Sequence, residues 1–276
     1  MNKLIIGLSL FLAGSGAAQA QYYYKDIVSN KQVIADLASY REARIRTIKI
    51  KSFESNGEPS EGFFCEKKVA KDYKKTALYT RSDMSGNSLL ESYFNESGKL
   101  IKSYDSSSIS MSSSEYSYDD AGRLIKIVSI SKSNDDDFVN ELREEHLYEY
   151  NENNQPLKMT LVKNKYDSIA ILFSLDENGN VTIEKNTKSG AKYYYYYDAQ
   201  KRLTDVVHAN EYKQGLVADY LFEYNPAGLL SQMTTTEEGG NNYYVWKYTY
   251  DNGLRIKERV YSKDRRLMGS IEYEYK

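Results

Sequence analysis

The chain reads as an all-β protein of consecutive antiparallel β-hairpin repeats forming one long twisted or coiled sheet, with a short helix near the N-terminus. Three observations predict this. Tyrosine supplies 28 of the 276 residues, against 3 Pro and 1 Trp, and tyrosine favours half-buried strands. Tyr-x-Tyr pairs recur, which on an extended chain put both rings on one face. Each pair runs into an Asp or Asn with Gly three residues later, the chemistry of a type I turn closed by a residue of positive φ.

Residues 1–20 read as a signal peptide. Lys3 gives a positive start, Leu4 to Ala13 a short apolar run, and Ala18-Gln19-Ala20 a cleavage site. Cleavage after Ala20 predicts an exported chain starting at Gln21, either periplasmic, associated with the outer surface or secreted. The apolar run is shorter than the roughly 20 residues that span a bilayer, and no second one follows, so no transmembrane segment is expected in the mature chain. No Cys stands at or near the end of the apolar run, so the protein is not expected to be a lipoprotein. Without Lys3, 36 basic residues face 39 acidic ones, a formal charge of −3. That balance carries no electrostatic footprint for nucleic acid.

Residues 21–77 are less regular. Ser29-Asn30-Lys31-Gln32 has the form of a capping box, with Val28 and Val33 spaced as a hydrophobic staple. Val33, Ile34, Leu37, Ala38 and Arg41 then share a face at helical spacing. The pattern predicts a helix over 30–42 that covers the first edge of the sheet, where open backbone groups would template aggregation. Arg44 to Phe53 alternates as a strand, with Arg46, Ile48 and Ile50 on one side. Asn56-Gly57 is a turn, and Gly62 to Val69 and Ala77 to Thr80 are further strands. Cys65, the only cysteine, excludes an intramolecular disulfide and sits beside Phe63 and Phe64 as a small strand hydrophobe. These strands extend the same sheet.

Residues 78–276 carry the repeat. The clearest copy is Tyr116-Ser117-Tyr118-Asp119-Asp120-Ala121-Gly122-Arg123-Leu124. Tyr195 to Leu203 matches it with Lys201 in the glycine position, and Phe222 to Leu230 matches through Asn225 and Gly228. Tyr248-Thr249-Tyr250-Asp251-Asn252-Gly253 is one residue shorter, and Asn154 replaces glycine after Tyr148-Glu149-Tyr150-Asn151. Phe173 to Gly179 keeps Asp176 and Gly179 but not the tyrosines, and Phe94 to Leu100 is an earlier copy. Copies lie about 22 to 32 residues apart, as repeat architectures do. Each unit is a hairpin with a stereotyped turn at one edge and a variable polar loop at the other. Tyr118, Tyr150, Tyr197, Tyr224, Tyr250 and Tyr275 fall at equivalent positions.

The Tyr-x-Tyr-Asp-x-x-Gly-Arg-Leu pattern resembles the YD repeats of the RHS family, over roughly Leu78 to Lys276. The resemblance implies the β-repeat architecture. Large members wind strands into a spiral shell, and many are cell-surface or toxin-delivery proteins. About seven units are too few for such a shell, and no C-terminal toxin or self-cleavage region is recognisable, so the enclosing function is not expected here.

No catalytic, metal or cofactor constellation stands out. His146 and His208 lie far apart without metal-ligand partners at helical or hairpin spacing. Asp135-Asp136-Asp137 invites Ca²⁺, but its spacing does not match the Ca²⁺ loop formula, and solvated loop charge accounts for it. No nucleophile elbow, phosphate loop or His-Glu-x-x-His occurs. Aromatic rings are the best binding candidates, because they offer flat, rigid contact area. In the run Tyr193 to Tyr197, Tyr194 and Tyr196 must oppose Tyr193, Tyr195 and Tyr197. Tyr194 and Tyr196, with Tyr244 and Trp246 from the stripe Tyr244-Trp246-Tyr248-Tyr250, form the candidate aromatic surface. The expected function is a non-catalytic envelope or surface module that binds a glycan or envelope protein. The alternatives are a carbohydrate-active enzyme using paired carboxylates on one sheet face, and a purely structural spacer.

Overall fold

The computed structural model describes residues 22–83, 85–134, 141–209, 215–237 and 242–276. The signal-peptide reading and the Asp135–Asp137 run lie outside the described residues. Among the described residues one helix, α1 (Tyr24–Glu42), precedes eighteen strands. They are β1 (Thr47–Glu54), β2 (Phe64–Val69), β3 (Lys75–Ser82), β4 (Gly86–Phe94), β5 (Leu100–Ser107), β6 (Ser110–Tyr118), β7 (Leu124–Ser133), β8 (Glu141–Tyr150) and β9 (Pro156–Lys163). Then follow β10 (Asp167–Leu175), β11 (Val181–Asn186), β12 (Lys192–Tyr197), β13 (Leu203–Ala209), β14 (Leu216–Tyr224), β15 (Leu230–Thr236), β16 (Tyr243–Asp251), β17 (Leu254–Ser262) and β18 (Leu267–Tyr275).

The all-β class is as expected, but the sheet is neither open nor coiled. Successive strands pair antiparallel all the way round, and β1 pairs antiparallel with β18, Ile48 opposite Tyr275 and Ile50 opposite Tyr273. The result is a closed 18-stranded up-and-down barrel. Closure leaves no edge strand to protect. The last residue takes part: Lys276 N–H donates to Thr47 O at 2.8 Å, and Thr47 N–H donates back to Lys276 O at 2.9 Å.

With no edge to cover, α1 lies against the inner wall. Tyr22, Tyr23 and Ile27 are buried in one core with Tyr148, Met159, Ile171, Tyr195 and Trp246. Leu37 packs in another with Val69, Tyr73, Phe94 and Leu100. The helix starts at Tyr24, six residues before the expected Asn30, so Ser29 and Asn30 are interior helix residues and not caps. The wall caps it instead. Tyr23 N–H donates to Glu184 Oε1 at 2.8 Å, and Tyr24 N–H donates to Glu184 Oε2 at 2.8 Å. A carboxylate at the positive end of a helix satisfies donors that otherwise have no partner. At the other end Arg44 takes φ 57°, Ile45 N–H reaches Tyr40 O at 2.8 Å, and Arg44 N–H reaches Arg41 O at 3.2 Å. This is a Schellman ending, and Ile45 and Tyr40 share a core as its hydrophobic contact.

The expected split of the hairpins holds. The turns at Asn95–Gly98, Asp119–Gly122, Asn151–Asn154, Asp176–Gly179, Asp198–Lys201 and Asn225–Gly228 all lie at one rim, with the shorter turn before Gly253 and the chain end. The strands β1, β3, β5, β7, β9, β11, β13, β15 and β17 end at the other, where the strands after them begin. In the Asp119 turn, Gly122 N–H donates to Asp119 O at 2.8 Å and Asp119 Oδ1 accepts from Arg123 N–H at 2.8 Å. Gly122 takes φ 80°, as do Gly179 and Gly228, while Gly253 takes 78°. Asn154 and Lys201 adopt the same left-handed conformation, φ 63° and 62°, without being glycine.

The equivalent tyrosines have a common job. Tyr118 OH donates to Leu100 O at 2.8 Å, Tyr150 OH to Leu124 O at 2.7 Å, and Tyr197 OH to Val181 O at 2.8 Å. Tyr224, Tyr250 and Tyr275 do the same to Leu203, Leu230 and Arg255. Each acceptor is the second residue after the positive-φ position of the preceding unit. The repeat is therefore a latch: a ring packs inward and its hydroxyl ties one hairpin to the one before. The Arg of the motif adds to it. Arg123 pairs with Asp119 and lies over the Tyr150 ring at 4.9 Å; Arg202 pairs with Asp198 and lies over Tyr224 at 4.5 Å.

Candidate functional site

Three regions carry chemistry: the outer face, the loop rim and the lumen side of the wall. On the outer face, strand alternation sets cross-strand ion pairs in rows. Lys126–Glu145 at 2.8 Å, Lys75–Glu91 at 2.6 Å and Lys257–Glu272 at 2.6 Å are examples. The Lys75 ammonium and the Tyr93 hydroxyl hold the Glu91 carboxyl below its ordinary range by direct hydrogen bonds. The carboxylates of Glu91, Glu145 and Glu272 are thus already engaged.

The candidate aromatic surface divides. Tyr193 and Tyr195 are buried in the core, and Tyr196 on the opposite face is 49% exposed. Tyr194, opposite Val207 and Ile183, shares that outer face and is half-buried. Trp246 is only 8% exposed, inside the wall opposite Met233 and Val260, so it offers no open platform. Its inward turn follows from period two: Trp246 shares a face with Tyr248 and Tyr250, whose hydroxyl latches inward. Tyr244 shares that face near the loop rim and donates its hydroxyl to Glu237 at 2.8 Å. The structural residues Asp119, Gly122, Asp176, Gly179, Asn225, Gly228, Asp251 and Gly253 are all in or beside the turns of the opposite rim.

Inside, a polar group joins α1 to the wall. His146 Nδ1 lies 2.6 Å from Asp26 Oδ2, which also accepts from Tyr148 OH at 2.7 Å. Because a carboxylate only accepts, the imidazole proton is on Nδ1. Glu184, 3% exposed, accepts from the Tyr195 hydroxyl at 2.8 Å besides its two helix donors. Burial pushes its carboxyl up to about 7, against the three hydrogen bonds that lower it. His208 pairs with Asp219 at 2.8 Å, and burial raises the Asp219 carboxyl. Cys65 is buried, its thiol raised by burial and set 3.4 Å from Thr80 Oγ1, an inert packing position. Among the described residues no group of three or more His, Cys, Asp or Glu is arranged to hold a metal ion.

Sequence reasoning missed Asp26 and Glu184. Glu184 stands between Ile183 and Lys185, and alternation alone gives no reason to turn the acid inward and the isoleucine out. Its two backbone donors, Tyr23 and Tyr24, are 161 and 160 residues away, so no local pattern marks its role at the helix start.

No protein-family model matches the chain, and no curated protein matches it. Among solved structures it is similar to a TcdB2-TccC3-TEV crystal structure at 12% identity and a TM-score of 0.36, covering 84% of this chain and 14% of that one. It is also similar to porin-like proteins from Bacteroides uniformis and Bacteroides vulgatus. Their identities are 10% and 11%, their TM-scores 0.31 and 0.30, and each match covers 84% of this chain and 98% of that one. The chain thus spans about a seventh of the first of these. At such TM-scores none of these likenesses carries a functional argument.

Proposed function

We propose that this chain is a non-catalytic, exported β-barrel module of the cell envelope or surface, and that its loop rim is the contact surface for a glycan or protein partner. The observation that carries this reading is where exposed hydrophobic side chains fall. Among the described residues the most exposed large ones are Tyr166 at 93%, Ile109 at 75% and Leu216 at 51%. Tyr166 and Ile109 lie in the loops after β9 and β5, and Leu216 opens β14, all at the loop rim. Binding residues concentrate on variable loops held by a rigid scaffold, and exposed aromatic and aliphatic side chains there offer contact area to a partner. The opposite rim repeats one latched turn and offers little variety. Ion-pair rows on the outer face suit a barrel kept in water, since a membrane barrel needs an apolar outer band. No helix among the described residues is long and apolar enough to cross a membrane. In the same rows Glu91, Glu145 and Glu272 are paired with Lys or Arg, which supports a binder over an enzyme that uses those carboxylates.

Site-specific photo-crosslinking in cells tests the proposal. A crosslinker at Tyr166 or Ile109 is expected to give discrete adducts, and one at Ser97 on the turn rim none. Adducts from Ser97 alone would overturn the rim assignment. Absence of adducts, glycan or protein, from every position would favour a structural spacer.

A further inference from the structure

Cross-strand register sets a row of polar side chains along the inside of the wall. Ser92 on β4 stands opposite Ser103 on β5, Ser103 opposite Ser114 on β6, and Ser114 opposite Ser129 on β7. Ser129 stands opposite Glu144 on β8, and Glu144 opposite Lys163 on β9. The next row toward the loop rim continues Asp105, Ser112 and Ser131. These residues alternate with outward ones such as Lys102, Glu115 and Lys126, and they share the lumen face with Tyr116, Ile127 and His146. Much of β9 to β18 turns apolar groups inward, with Met159, Ile171, Tyr195, Val206 and Ile271 among them. Serines in that position leave hydroxyls that each offer one donor and two acceptor sites. Only part of that capacity is used: Ser114 and Ser129 share one bond at 2.8 Å, and Ser103 meets Tyr116 OH at 3.4 Å.

A second observation points into the same place. His146 is held from one side, Nδ1 on Asp26, and its side chain is 9% exposed. Its other nitrogen, Nε2, is buried with no hydrogen-bond partner and lies 4.0 Å from Glu144 Oε2, a member of the row. A buried ring nitrogen without a partner is costly. Asp105 likewise has no partner among the described residues, and burial raises its carboxyl. Access remains: the Glu144 and Lys163 side chains are 19% and 41% exposed. Their mutual ion pair, 2.9 Å, removes net charge from that end of the row.

We propose that this serine-lined part of the lumen is a binding site for an uncharged polyhydroxyl ligand, a small sugar or polyol, with His146 Nε2 as its anchoring group. Hydroxyls suit every member of the set, donating to Asp105, Glu144 and the His146 Nε2 lone pair and exchanging either role with serine. The site is distinct from the loop rim and does not rest on the reading of that rim.

The test is nitrogen-detected imidazole NMR of the purified chain, titrated separately with glucose, N-acetylglucosamine and myo-inositol. The expected result is a saturable shift of His146 Nε2 with at least one probe, while His208 stays in place. Affinity should fall at least about tenfold, or roughly 1.4 kcal/mol, in the Ser114→Ala/Ser129→Ala double variant. The same loss is expected, by calorimetry, in His146→Asn, whose amide keeps a donor toward Asp26 and deletes Nε2. The double serine variant decides the matter if His146→Asn does not fold. No shift with any of the three probes would overturn the site. So would binding that survives the serine changes, or binding lost instead through Tyr166→Ser at the rim.

Discussion

Burial holds the Glu184 carboxyl at about 7, above its ordinary 4.5, even though two backbone N–H groups and the Tyr195 hydroxyl favour its charged form. A folded-state value above the unfolded one means that the group's contribution to stability is complete below about 4.5 and is lost as pH rises through about 7. Between those limits the chain should lose on the order of 3 kcal/mol from this group alone. Glu184→Gln should flatten that part of the stability–pH profile, measured by urea unfolding at a series of pH values. Parallel profiles for the two proteins would remove Glu184 from the account. The tyrosine latch makes a separate residue-scale prediction. Tyr150→Phe keeps the ring but strands the Leu124 carbonyl, so it should cost about 1–3 kcal/mol. Tyr196→Phe, on the exposed outer face, should stay within about 0.5 kcal/mol. Equal effects at the two positions would show that the hydroxyl bond does not hold the units together. The sidedness of these rings was legible in the sequence, because period two decides it. The Asp26–His146 and Glu184 bonds were not, because each joins one residue of α1 to a strand far along the chain.

At the scale of the element, the hairpin turn is where sequence and structure agree most closely. Asp or Asn at the first position accepts the backbone N–H four residues on, as Asp119, Asp176, Asp198 and Asn225 all do. The fourth position must then take positive φ, which the spacing alone predicts. Lys201 does so at φ 62°, where an L side chain costs about 1–2 kcal/mol and glycine avoids that cost at some loss of chain entropy. Lys201→Gly should therefore stabilise by up to about 1 kcal/mol, and Gly122→Val should destabilise by about 1–2 kcal/mol or more, both measured as shifts in denaturant midpoint. A destabilised Lys201→Gly would mean that the lysine makes a compensating contact. The start of α1 was misread for a related reason. Ser29-Asn30-Lys31-Gln32 satisfies the local cap formula, but Glu184 supplies acceptors six residues earlier, and the buried Tyr22 and Tyr23 rings reward the longer helix with packing. Asn30 is buried and donates to Tyr118 OH at 2.7 Å, a wall contact in place of a cap.

Closure belongs to the whole molecule and had no signature in any one repeat. Each hairpin specifies its neighbours, its turn rim and its latch, but whether the last strand meets the first depends on how twist accumulates over eighteen strands. Two features settle it here. The outer strands match in register, Ile48 to Tyr275 through Glu54 to Gly269. Their inward residues Ile48, Ile50 and Ile271 also share one core with Cys65 and Leu78. Removing residues 267–276 deletes β18, the Tyr275 latch on Arg255 and the Lys276–Thr47 bonds together. It leaves β1 and β17 as long unpaired edges and uncovers Ile48 and Ile50, both 5% exposed or less in the closed barrel. Such edges pair with other chains. The truncated chain should therefore form oligomers or aggregates under conditions where the full chain is a single species, as read by size-exclusion chromatography with light scattering. If it stayed monomeric and unfolded cooperatively at the same denaturant midpoint, the β1–β18 seam would contribute nothing to stability. The hairpin latches alone would then hold the sheet in shape.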